Sequence, residues 1–184
     1  MNPTEPLLKH AERVGEILED HSLPAVVIGG LALAAHGYIR FTQDVDLGLT
    51  ASHDQLEALS KDLEKNGYQV EYRVAGPEDP LGGVIDIITE AGLVQVISYA
   101  ERFPRVISDA LQYSPFDLSE DSSLKIAPIT QLVAMKLYAG GIKSKADILE
   151  LIRANPEANI GDIEGYCQSC RLQGFSEIRH ELEN

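Results

Sequence analysis

The sequence predicts an α+β fold, in which a β-sheet is flanked by helices and followed by an all-helical C-terminal subdomain. Three observations carry this. Short β-branched or alternating runs (AVVI, DVDLGL, YQVEYRV, VIDIIT and GLVQVIS) recur between positions 25 and 98. The segment before them and one between them repeat apolar residues with the 3.6-residue period of a helix. From Ile129 onward only helical patterns remain, so the chain divides into a sheet-bearing part, 1–127, and a helical part, 128–184. At 184 residues the chain is long enough for one sizeable core with such an appendage.

Taken in order, Leu7 to Asp20 puts Leu7, Leu8, Ala11, Val14, Ile17 and Leu18 on one face, an amphipathic helix that should pack on the sheet. Pro24 interrupts it, and Ala25 to Ile28 reads as a short buried strand closed by Gly29-Gly30. A helix of small and apolar residues, Leu31 to Gly37, begins directly after the glycines. Tyr38 to Gln43 is a basic turn leading into a strand over Asp44 to Leu49. Ser52 to Gly67 is a surface helix, with Ser52 as N-cap, Leu56, Leu59 and Leu63 as its apolar stripe and Gly67 as its stop.

Tyr68 to Val74 alternates as a half-exposed strand, and Ala75 to Gly83 is a loop rich in Pro and Gly. Val84 to Thr89 and Gly92 to Ser98 follow as strands, Tyr99 to Gln112 as a helix with Pro104 at a helix start, and Ser122 to Ala127 as a short strand. In the C-terminal part Thr130 caps a helix through Gly140. Lys143 to Asn155 is amphipathic through Ile148, Leu149 and Ile152, and Asp162 to Gln173 adds another helix.

Composition bounds the function. Lys and Arg total 15 against 29 for Asp and Glu, a formal net charge of -14, which argues against broad non-specific binding to a nucleic-acid backbone. No apolar run is long enough to span a bilayer, and the N-terminal stretch MNPTEPLLKHAERV has no hydrophobic signal core, so a cytoplasmic location without membrane association is expected. Cys167 and Cys170 form a CxxC, but zinc would need further ligands, and a redox pair would need a strand-to-helix context. Two half-buried structural thiols are the expectation.

The chemistry concentrates in Val26 to Leu49. Asp44 and Asp46 lie one residue apart, so on a strand they share a face while Val45 and Leu47 point into the core. Like charges held this close repel, and such a pair usually stays ionised around a hard cation such as Mg²⁺. Gly29 and Gly30 permit a tight turn and leave main-chain N–H groups open at a helix start, which suits phosphate; a plain strand-to-helix turn is the alternative. Arg40 is placed to pair with a phosphate or with Asp44, and Thr42 to fix the start of the strand by hydrogen bonding. Asp86, inside VIDII, is costly to bury unless paired or coordinating. It is the natural third carboxylate, provided its strand lies beside that of Asp44 and Asp46; otherwise it is an edge carboxylate facing water.

The order strand, Gly-Gly, helix, Asp-x-Asp strand, then a lone Asp in a later strand resembles the nucleotidyltransferase superfamily with its polymerase-β-like palm. More narrowly, Gly29-Gly30-Leu31-Ala32, His36-Gly37, Arg40, Thr42, Asp44 and Asp46-Leu47 look like AbiEii-type nucleotidyltransferases, found among abortive-infection and toxin–antitoxin toxins. Lys136-Leu137-Tyr138-Ala139 fits the downstream motif of that group, and Lys143-Ser144-Lys145 with Asp147 and Glu150 fits it loosely. Lys143 stands where Arg is usual and Ala146 where an Asp is.

The resemblance implies a mixed sheet of nucleotidyltransferase type and transfer of NMP from an NTP to an acceptor, with Mg²⁺ or Mn²⁺ as cofactor. By the same resemblance Asp44, Asp46 and Asp86 hold two metal ions, with Asp86 on the acceptor side and available for proton removal. Gly29, Gly30, Arg40, Thr42, Lys136 and Lys145 would contact the nucleotide, although Lys136 also reads as a helix lysine whose head simply reaches water. An RNA end such as that of tRNA, a protein and a small molecule all stand as acceptors, and a cognate antitoxin as a partner. A catalytically reduced nucleotide- or partner-binding module of the same fold is the competing class.

Overall fold

The runs read as strands all enter one sheet. The computed structural model describes residues 5–40, 42–120 and 122–183, so the first four residues of the N-terminal stretch lie outside the described residues. Helix α1 (Glu5–Asp20) leads to β1 (Ala25–Ile28), α2 (Gly29–Ala35), β2 (Asp44–Leu49), α3 (His53–Lys65), β3 (Gln69–Arg73), β4 (Gly83–Thr89) and β5 (Gly92–Ser98). After α4 (Pro104–Tyr113) and the two-residue β6 (Lys125–Ile126) come four helices, α5 (Ile129–Ala139), α6 (Gly141–Ala154), α7 (Ile160–Ser169) and α8 (Phe175–Glu183). This is a mixed sheet flanked by helices, with a helical C-terminal subdomain.

The strand order is β3-β4-β5-β2-β1-β6. β3, β4 and β5 form an antiparallel meander, and β5 then runs parallel to β2. β2 pairs antiparallel with β1, and β1 parallel with β6. Because strand side chains alternate, this register sorts the sheet into two unlike faces. On one face Val45, Leu47, Ile85, Ile87, Val94 and Val96 are buried beneath α1 and α3. The opposite face carries the acids.

Capping chemistry explains several helix boundaries. Ser52 caps α3 and forms a full capping box with Gln55. Pro104 opens α4, so the helix begins there and not at Tyr99, whose N–H instead bonds the Leu49 carbonyl at 2.9 Å and prolongs the sheet. Thr130 is not a cap: it lies inside α5, which starts at Ile129, two residues before the expected Gln131, with Pro128 at the N-cap position. Helix α8 was absent from the sequence reading; it follows Gly174, which adopts a positive φ of 95°. Cys167 is buried in α7 and its thiol is pushed up to about 12, chiefly by burial and then by Cys170, which sits at the end of that helix. Among the described residues no helix is long and apolar enough to cross a membrane.

Candidate active site

One row of side chains crosses the open face of the sheet. Ile28 on β1 pairs with Asp46 on β2, Asp46 with Gln95 on β5, Gln95 with Asp86 on β4, and Asp86 with Glu71 on β3. Asp44 lies two residues before Asp46 and shares its face. Asp44, Asp46 and Gln95 line a cavity of about 420 Å³, whose remaining walls include Gly29, Arg40, Thr42, Lys136 and Lys143.

Gly29 makes the floor of this cavity possible. It sits at the first position of α2 with φ of 65°, a region that L side chains avoid. A Cβ there would lie 1.7 Å from Oδ2 of Asp46. Gly30 is constrained from the other side, since its Cβ would come within 2.8 Å of Thr42. Thr42 in turn donates its hydroxyl to the Asp44 carboxylate, fixing the first acid at the start of β2.

The cations come from three places in the chain. Lys136 of α5 and Arg40, in the turn before β2, both face Asp147 of α6. The Lys136 ammonium donates to Asp147 Oδ2 at 2.6 Å, and Arg40 Nε lies 3.4 Å from Oδ1. Asp147 is only 2% exposed. The Arg40 contact is an ion pair without hydrogen-bond geometry, and Nε of Arg40 is the one buried side-chain polar atom without a hydrogen-bond partner among the described residues. Lys143 adds a third positive charge to the lining.

Charge balance at Asp46 follows from this crowding. Burial, and after it the neighbouring Asp44 charge, raise its carboxyl from 3.8 to about 6 against the pull of Lys136, Arg40 and Lys143. A carboxyl held up by a like charge is relieved by a cation. Two carboxylates and the amide oxygen of Gln95 make a donor set suited to one hard divalent ion that keeps several waters. No group of three or more His, Cys, Asp or Glu with metal-holding geometry occurs among the described residues.

A scan against protein-family models and a comparison with curated protein sequences both return no match. Solved structures do match. The antibiotic-resistance factor ANT(2'')-Ia in solution is 17% identical, superposes with a TM-score of 0.56 and is covered over 93% of both chains. JHP933 from Helicobacter pylori is 19% identical with a TM-score of 0.51, over 99% of this chain and 78% of that one. An antigenic nucleotidyltransferase-like protein from Paracoccidioides brasiliensis is 18% identical with a TM-score of 0.50, over 80% and 74%. The chain has the nucleotidyltransferase fold.

Within this nucleotidyltransferase fold the sequence-derived residues are distributed unequally. Gly29, Arg40, Thr42, Asp44, Asp46 and Lys136 share the cavity, with Gly30 packed behind Thr42. The convergence expected of Asp86 is not what the register gives, because β5 separates β4 from β2. At about 4.8 Å per strand, Asp86 stands roughly 10 Å from Asp46 along the row. Its carboxylate is engaged by Arg73 at 2.9 Å and by the Gln95 amide at 2.5 Å. Lys145 is also elsewhere, paired with Glu181 of α8 at 2.5 Å. Gln95 and Lys143, not singled out for the site from the sequence, take places in the lining, and Asp147 lies behind it. Gln95 had a signal: like Asp86, it is a polar residue inside an apolar strand run, GLVQVIS.

Proposed function

We propose that the protein is a Mg²⁺-dependent nucleotidyltransferase that moves NMP from an NTP to an acceptor. The observation that carries this is the single cavity in which Asp44 and Asp46, packed against Gly29, face Arg40, Lys136 and Lys143. Asp44 and Asp46 would hold the divalent ion. When bound, that ion neutralises phosphate charge and lowers the pKa of an attacking hydroxyl.

The chain supplies the rest. Lys136 and Lys143 place point charges opposite the carboxylates, where a triphosphate brings negative charge, and Arg40 adds a further positive charge to the lining. Gly29, having no side chain, lets a ligand approach the main chain beside Asp46. In-line attack of an acceptor oxygen on the α-phosphorus forms one P–O bond as the bond to pyrophosphate breaks.

For the acceptor, we favour a small molecule bearing hydroxyl groups. The net charge of -14 disfavours a long polyanion, and ANT(2'')-Ia, of the same fold, has been seen in complex with adenylyl-2''-tobramycin. The motif run from Gly29 to Leu47 supports an AbiEii-type role with a protein antitoxin as the alternative setting. Incubating the protein with each labelled NTP, Mg²⁺ and separate RNA, protein and small-molecule pools tests the proposal. Label should appear in one pool and vanish in Asp44→Ala and Asp46→Ala; label that persists in either variant refutes the site.

A second reading has its own observation. The place beside Asp46 is held by Gln95, so a nucleotide-binding module with little turnover fits the same cavity. NTP binding measured by calorimetry without label transfer would favour it.

A further inference from the structure

The register puts Gln95 directly beside Asp46 and holds Asp86 one strand further out. This has a chemical consequence at the amide. Asp86, paired with Arg73, accepts from Gln95, and the Gln95 atom facing it at 2.5 Å is the nitrogen. With Nε2 committed to Asp86, the pole that Gln95 has left for other partners is its carbonyl oxygen. Gln95 lines the cavity with Asp44 and Asp46, while Asp86 does not.

We propose that this site holds a single divalent cation, and that Gln95 is its third, neutral oxygen donor, oriented by the Asp86–Arg73 pair. Asp86 is therefore a positioning residue acting through Gln95. A second ion would need a third carboxylate in the place beside Asp46, and Gln95 fills that place with an uncharged group. This inference rests on the proposed cation site at Asp44 and Asp46, and adds the number of ions, the third ligand and the device that orients it. It also removes the carboxylate that would otherwise accept the proton of the acceptor, leaving that task to the Asp44–Asp46 pair or to solvent.

Mn²⁺ titration of the 184-residue chain without nucleotide, read by loss of the free-ion EPR signal, tests this independently of turnover. Wild type should bind one Mn²⁺ per chain. Gln95→Ala should bind it about 3- to 10-fold more weakly, and Gln95→Glu should bind at least about 10-fold more tightly or take up a second ion. Should Gln95→Glu not fold, Asp86→Ala, which frees the amide to turn, should weaken binding about threefold, with Asp86→Glu restoring it. Two ions in wild type, or unchanged binding in both Gln95→Ala and Asp86→Ala, overturns the inference. Binding that survives Asp44→Ala or Asp46→Ala instead refutes the underlying cation site, so the two failures are distinct.

Discussion

Gly29 and Asp46 compete for one volume: a methyl group on the first would lie 1.7 Å from a carboxylate oxygen of the second. The strand β2 can present its second acid on the open face only because the facing turn has no side chain. Gly29→Ala therefore combines a left-handed backbone cost of about 1–2 kcal/mol with displacement of Asp46. The expected result is a melting temperature lower by roughly 3–8 °C for a chain of this size, with loss of cation binding. A double-mutant cycle with Asp46→Ala should recover part of the stability, since the clash disappears with the carboxylate.

Asp44→Ala and Asp46→Ala should each reduce Mg²⁺-dependent label transfer by at least about a hundredfold while leaving the far-UV circular dichroism unchanged. Asp46→Asn is expected to raise the melting temperature in EDTA at pH 7, because it removes a carboxyl that the fold prefers protonated. A variant that is both more stable and inactive would mark Asp46 as retained for function and not for folding.

The pH dependence has a definite sign. The Asp46 carboxyl titrates at about 6 in the fold against 3.8 ordinarily, so between these values the folded state holds a proton that the unfolded chain has released. Stability from this group is greatest below about pH 4 and falls as pH rises toward 6, by on the order of 3 kcal/mol in all. His36 opposes it: burial lowers its pKa while its Nε2–H donates to the Ala127 carbonyl at 2.8 Å, so its contribution is lost as pH falls below 6.5. Denaturant melts from pH 4 to 8 should show the Asp46 slope in wild type and lose it in Asp46→Asn. Mg²⁺ should stabilise wild type more at pH 7 than at pH 5.

Asp147→Ala should be the most damaging single change near the cavity. It strands Lys136, 17% exposed, and Arg40, 23% exposed, without their anion. Leaving buried charge uncompensated costs about 3–5 kcal/mol. Chemical denaturation should register that loss, and Asp147→Glu should recover part of it.

The sequence made the two acids of β2 legible because strand alternation is a local property: Asp44, Asp46, Val45 and Leu47 face as their spacing dictates. The placement of Asp86 was not local. The sequence reading placed the Asp86 strand, β4, beside β2, but β5 buries an equally apolar run there. One clue was available, since only Glu90 and Ala91 separate the two strands, so β5 must pair with β4 as a tight hairpin. Which of the two then meets β2 is decided by pairing across more than forty residues of chain. Lys145 and Asp147 were similarly ambiguous, as two charges on one helix in a region whose packing against the sheet has no sequence period of its own. Asp147 turned inward under Lys136, and Lys145 turned outward to Glu181.

The Asp147 clamp also sets a threshold on what can bind. Lys136 and Arg40 already have an anion between them, so an incoming ligand must outbid a carboxylate that is fixed in place and shielded from water. A singly charged ion offers these cations nothing they lack. On the proposed function, a ligand with several adjacent negative charges would engage Lys143 without dislodging Asp147, and would gain most by bringing its own counter-cation to Asp44 and Asp46. On the proposed function, the cavity would thereby discriminate by charge density before any base or acceptor group is read.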